Sequence, residues 1–254
     1  MWPFRRKPLL DDDTASWHAA NFAWLIAEFG SESFIAQDLL LPHAKMLRLN
    51  GEEDHAYALR VLEQVKEDCS MGPSWPVTLV ADDDPAAQGN LPEDSPVSGE
   101  YNQGTFLLTD EAAQITYAPA LLGNPQRLVT VFAHELAHYL LTTCQSQPPC
   151  TVDEREMLID LTGVFLGFGV FMANSVFSFE SPDKWWNLGR SGYLPEEGLV
   201  FALALFIAAK RIPAKEVTPY LKPHLAKQIK HALRDLAREP RWLNQVKAKL
   251  AVAD

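Results

Sequence analysis

Two histidines stand four residues apart in the stretch TVFAHELAHYLL, residues 130–141, and a glutamate directly follows the first of them. On an α-helix, positions i and i+4 lie on one face, so His134 and His138 can present ring nitrogens to a single metal ion. Glu135 is rotated from His134 by about 100°. Its carboxylate therefore lies beside the ion, where it can accept a proton from water that the metal activates. The spacing predicts a catalytic zinc site.

The residues around these three ionisable groups are apolar or uncharged. They are Val131, Phe132, Ala133, Leu136, Ala137, Tyr139, Leu140 and Leu141. Burying the three groups in such a helix without a shared partner would cost several kcal/mol, and a metal ion removes this cost. The alternative is that the HExxH pattern arose by chance and that its histidines are ordinary core or surface residues. The apolar setting favours zinc.

The segment VFAHELAHYL resembles the zinc-binding helix of the zincin metallopeptidases. This resemblance implies a zinc ion held by His134, His138 and a third protein ligand, with one position open to water. It also implies the hydrolysis of peptide bonds, with Glu135 as the general base and then as the proton donor. The resemblance is strong over this one helix and identifies neither a particular peptidase family nor a substrate.

The third ligand does not follow from the metzincin pattern HExxHxxGxxH, in which a glycine turns the chain so that a third histidine returns to the metal. Leu141 and Cys144 occupy those two positions. Without the glycine, the helix should continue through Leu141 and direct the thiol of Cys144 elsewhere. A thiolate ligand from Cys144 stays open as an alternative.

A better candidate lies in the segment EREMLID, which begins 16 residues after His138. Zincins of the gluzincin type take the third ligand from the glutamate of an ExxxD sequence on the next helix, and the aspartate orients a ligand histidine. By this resemblance, Glu156 is the ligand and Asp160 is the hydrogen-bond partner of His134. The alternatives are Glu154 or Asp160 itself as the ligand, or acids that only favour the start of a helix.

A hydrogen-bond donor must also stabilise the oxyanion of the tetrahedral intermediate. We select Tyr193 from the segment LGRSGYLPEEG, a glycine-containing turn before a predicted helix. A structural role is the alternative for Tyr193 as well as for the other candidates, which are Arg190, His224 and His231. Trp185 and Trp186 could line a pocket or anchor a loop.

These groups must be positioned by an α+β fold that is predominantly α, with a small sheet, an active-site helix and a buried helical bundle as in the zincins. One helix is predicted from an N-cap at Asp13 or Thr14 to Phe29, with Gly30 as its end, and another over residues 52–69. The segments WPVTLVA, TFLLTD and AQITYAP predict three short strands. We expect the last to be an edge strand, on which an extended substrate pairs main chain to main chain.

The second half of the chain is predicted to be helical. A helix starts at Asn124 with Pro125 in its first position, a long one covers residues 152–178, another starts at Pro195, and basic amphipathic helices follow from about Lys222. The predicted organisation has three parts: an N-terminal helical segment packed on the core (residues 1–80), an acidic loop (81–104) and a zincin-like metallopeptidase core with basic C-terminal helices (105–254).

The formal net charge of −11 is distributed unevenly over the 254 residues. From Lys210 onward there are 11 basic and 4 acidic residues, so the rest of the chain is strongly acidic. An acidic body repels phosphates, and we therefore expect no nucleic-acid partner. The basic tail is expected to be a solvated helical face that balances the acidic body, with contact to nucleic acid or anionic lipid as the alternative.

The start of the chain and its cysteines bear on the compartment. The basic residues 5–7 are followed by only three apolar or proline residues before three aspartates, so no secretory signal is expected. The three cysteines are an odd number, which favours free thiols in a reducing compartment. The expected location is the cytoplasm.

A membrane span is the alternative for residues 161–179, which carry no charge and reach the lower length limit for a span. The flanking charges, Asp160 and Glu180, are acidic, and no basic residue lies close to either end. A helix buried in a soluble core accounts for the same residues, so we do not expect a membrane protein.

The sequence therefore predicts a zinc-dependent peptidase that acts on a protein or peptide, without predicting its oligomeric state. The first alternative is a zinc-binding but catalytically silent interaction or regulatory domain, which would use its basic tail or its tryptophan-containing loop. The second alternative is a membrane-embedded protease.

Overall fold

The computed structural model describes residues 7–43, 54–83, 104–108, 112–175 and 193–251. Over these residues the protein is α+β and predominantly helical, with one three-stranded sheet. The strands are β1 (Val77–Ala81), β2 (Gly104–Leu108) and β3 (Ala113–Tyr117). The helices are α1 (Asp12–Phe29), α2 (Ser31–Ala36), α3 (Asp54–Asp68), α4 (Pro125–Leu141), α5 (Arg155–Gly163), α6 (Gly169–Ser175), α7 (Glu196–Ala209), α8 (Ala214–Val217), α9 (Pro223–Arg238) and α10 (Arg241–Leu250). Short turns of 3-10 helix cover Pro119–Gly123, Val152–Glu154 and Thr218–Tyr220, and a π turn covers Val164–Phe168.

The sheet has the strand order β1–β3–β2, with β1 parallel and β2 antiparallel to β3. The three predicted strands are confirmed, but the prediction that AQITYAP forms an edge strand is wrong because β3 pairs on both sides. All five residues of β3 are buried, as expected for a strand between two neighbours and under a helix. In the described sheet β2 pairs only with β3, and like β3 it packs against α4.

The N-terminus of α1 is fixed by a side chain that the sequence analysis did not select. Asp11 has the extended backbone of an N-cap residue, and its carboxylate accepts a hydrogen bond from the Thr14 N–H at 2.9 Å. The predicted N-caps, Asp13 and Thr14, therefore lie inside the helix, where Asp13 joins an acidic first turn that favours the helix dipole. Gly30 ends α1 as predicted, with φ 92°.

The predicted continuous helix over residues 152–178 is interrupted by the π turn between α5 and α6. Gly167 in this turn has φ 91°, and its carbonyl oxygen accepts a hydrogen bond from the Leu40 N–H at 3.0 Å. A Cβ at this position would collide with the carbonyl oxygen of Asp38. The regular helix is therefore interrupted at Gly167, where the backbone of Asp38 and Leu40 packs against it. The last three residues of the predicted helix lie outside the described residues.

The segment Val152–Ser175 is long and apolar enough to cross a membrane by length and composition, with a mean hydropathy of 1.6. In the folded chain, 89% of an apolar 18-residue stretch of this segment is buried inside the protein. A core helix of a soluble protein passes the same test, so this segment is weak evidence for a span.

One hydrophobic core joins the helices to the sheet. α7 is apolar around its whole circumference and is buried between α1, α6 and α9. α1 also packs against α5 and α10, and α3 packs against α4. The basic amphipathic helices expected from about Lys222 are α9 and α10, each of which buries one face. Residues 84–103, most of the predicted acidic loop, lie outside the described residues.

Candidate metal centre

α4 carries the two histidines of the HExxH pattern. The side-chain oxygen of Asn124 accepts a hydrogen bond from the Arg127 N–H at 3.3 Å, and Pro125 occupies the first helical position, as predicted. The apolar face of α4 packs on the sheet. His134 is 9% exposed and His138 is half-buried, so one turn of the helix presents both rings beside β2.

Two alternatives for the third ligand, Glu154 and Cys144, lie outside the cluster that contains the two histidines. Oε2 of Glu154 accepts hydrogen bonds from the N–H and the hydroxyl of Thr151, at 2.7 and 2.8 Å, so this carboxylate caps the helix start. Cys144 is not part of the cluster described below, and burial raises the pKa of its thiol to about 11. A raised pKa disfavours the thiolate that a metal ligand requires.

His134, His138 and Glu156 each contribute one potential ligand atom to a common place, and the three atoms all lie within 4.8 Å of one another. Oε2 of Glu156 is 3.5 Å from Nε2 of His134 and 3.8 Å from Nε2 of His138. The two imidazole centroids are 5.0 Å apart with an interplanar angle of 73°. The rings therefore do not stack, and their Nε2 atoms both face the same carboxylate.

Asp160 contacts the other side of His134. Nδ1 of His134 donates to Oδ1 of Asp160 at 3.0 Å. Oδ2 of Asp160 accepts a second hydrogen bond, from the Leu194 N–H at 2.9 Å. Asp160 is therefore not a member of the ligand cluster, and its bond to Nδ1 leaves Nε2 of His134 directed at Glu156.

The charges of the cluster shift the ionisation of its members in different directions. Burial lowers the pKa of His134, but Asp160 and Glu156 raise it by more, to about 10. Burial and the neighbouring His134 lower the pKa of His138 to about 4. Burial raises the pKa of Glu156, whereas His134 and His138 lower it by more. The carboxylates thus stabilise positive charge on His134, whereas His138 is neutral at pH 7.

Glu135 lies beside the cluster and is 5% exposed. Burial raises the pKa of its carboxyl group to about 7, with His134 opposing and Glu156 adding to the rise. A carboxyl group with a pKa near neutrality can both accept and return a proton. Its space depends on Gly104 in β2, because a Cβ there would lie 3.0 Å from Oε1 of Glu135 and 2.5 Å from Cγ1 of Val131.

Tyr193 lies next to the cluster. Its ring centroid is 5.5 Å from that of His134, and the residue is 41% exposed. Burial, followed by the carboxylates of Glu156, Glu135 and Asp160, raises the pKa of the Tyr193 hydroxyl above its usual range. The hydroxyl therefore stays protonated and can act as a hydrogen-bond donor.

The remaining predicted donors are not part of this cluster. Nε2 of His224 lies 3.1 Å from Oε2 of Glu196, and Nε2 of His231 lies 3.4 Å from Oδ2 of Asp235. Three predicted residues lie outside the described residues: Trp185, Trp186 and Arg190.

Three contacts at the site were missed by the sequence analysis. The ring of Phe106 in β2 stacks on His138, with centroids 5.7 Å apart and planes inclined by 10°. The other two are the close approach of Gly104 to Glu135 and the Leu194 N–H bond to Asp160. The TFLLTD strand was predicted, but its position over α4 follows from the strand order, which no local pattern encodes.

Comparison of the chain with protein-family profiles, with curated proteins and with solved structures finds no match. Fold and site define an α+β protein with a candidate centre of two histidines and a glutamate, built on two adjacent helices. Two imidazoles and a carboxylate form a donor set suited to a divalent transition metal, and a second, buried carboxyl group stands beside them.

Proposed function

We propose that the protein is a zinc-dependent peptidase of zincin-like type that hydrolyses peptide bonds. The observation that carries this proposal is the convergence of His134, His138 and Glu156 within 4.8 Å, together with the buried Glu135 at the side of that cluster. Each of these residues has the type and the helix position that the HExxH and ExxxD patterns require.

The donor atoms fit zinc. His134 and His138 would each bind through Nε2, and Glu156 would bind through a carboxylate oxygen, which is a common set for a catalytic zinc site with one open position. When a metal displaces the proton on Nε2, the hydrogen bond from His134 Nδ1 to Asp160 would keep Nδ1 as the protonated nitrogen and Nε2 as the ligand. The same carboxylates that raise the pKa of His134 would stabilise the charge of a cation.

The chain's own residues supply the proton transfers and part of the transition-state stabilisation. When bound, zinc supplies a Lewis acid that polarises a carbonyl group and lowers the pKa of water. Glu135 accepts the proton from the attacking water and delivers it to the leaving nitrogen. The protonated hydroxyl of Tyr193 donates to the developing oxyanion.

The substrate that this geometry fits is an extended protein or peptide chain. β2 lies at the edge of the described sheet, packs on α4 and passes Glu135 at Gly104 and His138 at Phe106. A segment paired to the outer side of β2 would run past the proposed catalytic groups, with main-chain hydrogen bonds supplying affinity. The edge strand adopted in the proposal is thus β2 rather than the buried β3.

We retain the cytoplasm as the proposed location, because the described residues include three free thiols, at Cys69, Cys144 and Cys150. The membrane-embedded alternative is tested by fractionation of cells that express the chain. Recovery in the supernatant after carbonate washing excludes it, whereas retention in the membrane pellet contradicts a cytoplasmic peptidase.

The first experiment measures metal per chain by elemental mass spectrometry, and peptide hydrolysis, for the wild type and three variants. We expect about one zinc in the wild type and in Glu135→Gln, and loss of zinc in His134→Ala and Glu156→Ala. Glu135→Gln should lower the hydrolysis rate by about 10²–10⁴-fold. Zinc without hydrolysis in the wild type would favour the silent interaction domain, and folded wild type that binds no zinc would overturn the proposal.

A further inference from the structure

The carboxylate of Asp160 divides its two oxygens between two parts of the site. Oδ1 accepts from Nδ1 of His134 at 3.0 Å, and Oδ2 accepts from the backbone N–H of Leu194 at 2.9 Å. Asp160 is 6% exposed, and both hydrogen bonds are buried. Bonds to a charged acceptor in such surroundings are stronger than neutral ones and costly to lose.

The second bond acts on the backbone of Tyr193. The nitrogen of Leu194 belongs to the planar peptide unit that contains the Cα of Tyr193. The side chain of Leu194 is 3% exposed, so the core holds this residue from another direction. Pro195, the N-cap of α7, follows directly. The peptide unit is thus fixed at its N–H and at the side chain that follows, and this limits where the ring of Tyr193 can lie.

We propose that Asp160 is a positioning residue for Tyr193 as well as for His134, so that one carboxylate orients both the metal-binding histidine and the oxyanion donor. The catalytic part of this inference rests on the proposed peptidase function. Fixing the donor in advance removes the cost of ordering it during the reaction. A change at Asp160 should therefore affect two groups that lie in different elements of the sequence, α4 and the segment before α7.

The decisive variant replaces Leu194 by its α-hydroxy analogue, leucic acid, which turns the amide into an ester. This removes the N–H donor and keeps the side chain. The matched control is the same replacement at Leu199, which is also 3% exposed and whose N–H bonds to the carbonyl oxygen of Pro195 at 3.0 Å. Each ester removes one backbone donor near the start of α7, but only the ester at Leu194 removes a donor to Asp160.

The catalytic readout is a double-variant cycle with Tyr193→Phe. The Leu194 ester should keep about one zinc per chain and lower kcat more than it changes KM. It should also reduce the effect of Tyr193→Phe by about 10-fold or more, since groups in one network are not independent. With the Leu199 ester, the effect of Tyr193→Phe should be unchanged. Independent, multiplicative effects with the Leu194 ester would overturn the proposal.

A second readout does not need catalysis and separates this proposal from the peptidase function. With 3-fluorotyrosine at position 193, addition of zinc should shift the fluorine NMR signal in the wild type and in the Leu199 ester, but shift it less in the Leu194 ester. Equal shifts in all three proteins would overturn the positioning role, even if the wild type hydrolyses peptides. A reduced shift in a protein without hydrolysis would support the positioning role and contradict the peptidase function.

If the Leu194 ester does not fold, Leu194→Ala and Asp160→Asn give the comparison at saturating zinc. Leu194→Ala keeps the N–H and its acceptor, whereas the amide of Asp160→Asn has one acceptor oxygen for the two donors, His134 Nδ1 and the Leu194 N–H. The expected result is a smaller zinc-dependent shift in Asp160→Asn than in Leu194→Ala, and equal shifts would contradict the proposal.

Discussion

Two regions of this protein bury a histidine, and they shift its pKa in opposite directions. His18 in α1 is fully buried against the rings of Trp17 and Phe201, with Nδ1 bonded to the carbonyl oxygen of Thr14 at 2.8 Å. Burial lowers its pKa to about 4. His134 in α4 is nearly as buried, yet its carboxylate neighbours raise its pKa to about 10.

The difference teaches that the neighbours of a buried histidine, rather than its burial, mark a functional site. At His18 the surroundings are aromatic, and the neutral ring is the stable form. Around His134 the surroundings supply negative charge and leave Nε2 directed at the Glu156 carboxylate, which Nε2 of His138 also faces. This arrangement serves a cation better than it serves core packing. We therefore assign His18 to the scaffold and His134 to the candidate metal centre.

The largest expected effect is on stabilisation by zinc. At a free zinc concentration 1,000 times the Kd, the unfolding free energy of the wild type should rise by about 4 kcal/mol if, as proposed, zinc binds to the site that only the folded state forms. His134→Ala should lose this increment, and His18→Gln should keep it even if its zinc-free stability is lower. The measurement is chemical denaturation with and without zinc. An equal increment in His134→Ala would remove the distinction between the two histidines.

The next effect is on stability at low pH and concerns His18. Its ordinary pKa of about 6.5 applies in the unfolded chain, whereas the folded state holds the pKa at about 4. Between these pH values His18 binds a proton in the unfolded chain but stays neutral in the folded protein. The free energy of unfolding therefore falls as the pH falls. The contribution of His18 amounts to about 3 kcal/mol. Most of it is lost by pH 4, and the remainder is lost within about one pH unit below that.

This pH dependence is measured by urea denaturation of the zinc-free protein from pH 7.5 to pH 4. His18→Gln cannot titrate, so its unfolding free energy should decline less steeply over that range than that of the wild type. Parallel curves for the two proteins would mean that the pKa of His18 is the same in the folded and unfolded states. The proposed contrast with His134 would then fail.

The sequence predicted most of the secondary structure, because local patterns determine it. An asparagine cap followed by proline located the start of α4, and turn residues around β-branched segments located the three strands. The HExxH and ExxxD spacings selected the residues that the fold brings together, because each spacing lies within one helix and needs no knowledge of tertiary contacts. Their roles in metal binding and catalysis stay predictions.

Apart from the N-cap of α1, which is Asp11 and not Asp13 or Thr14, the errors and omissions concern contacts between distant segments. AQITYAP has the composition of any buried or edge strand, and its central position follows from pairing with both β1 and β2. The break at Gly167 depends on the approach of Asp38 from another part of the chain. The Leu194 N–H is a backbone group, and no side-chain pattern could assign it to Asp160. Sequence patterns predicted the chemical groups but not the elements that surround them.

The smallest expected effect comes from adding a methyl group at a glycine. Gly104 lies beside the candidate metal centre, and Gly198 lies beside His18. Gly104→Ala would bring a methyl group to 2.5 Å from Val131 Cγ1 and 3.0 Å from Glu135 Oε1, and Gly198→Ala would bring one to 3.1 Å from Nε2 of His18. Gly104→Ala should lower the unfolding free energy by about 1–3 kcal/mol, as overpacking does. Gly198→Ala should change it less, because the higher helix propensity of alanine, about 0.5–1 kcal/mol, offsets the cost of the tighter contact in α7. Only Gly104→Ala should also slow hydrolysis, because its methyl group occupies space beside the proposed general base.

Val131→Ala in the Gly104→Ala chain distinguishes packing from catalysis. It removes the closest of the three contacts of the new methyl group, so the free energy of unfolding should recover in part relative to Gly104→Ala alone. The hydrolysis rate should stay low, because the new methyl group still lies against Oε1 of Glu135. Chemical denaturation and kcat/KM on the same preparations test both expectations. If the hydrolysis rate recovered together with the stability, Gly104 would be needed only for the packing of β2 on α4. The position of the Glu135 side chain would then not depend on Gly104.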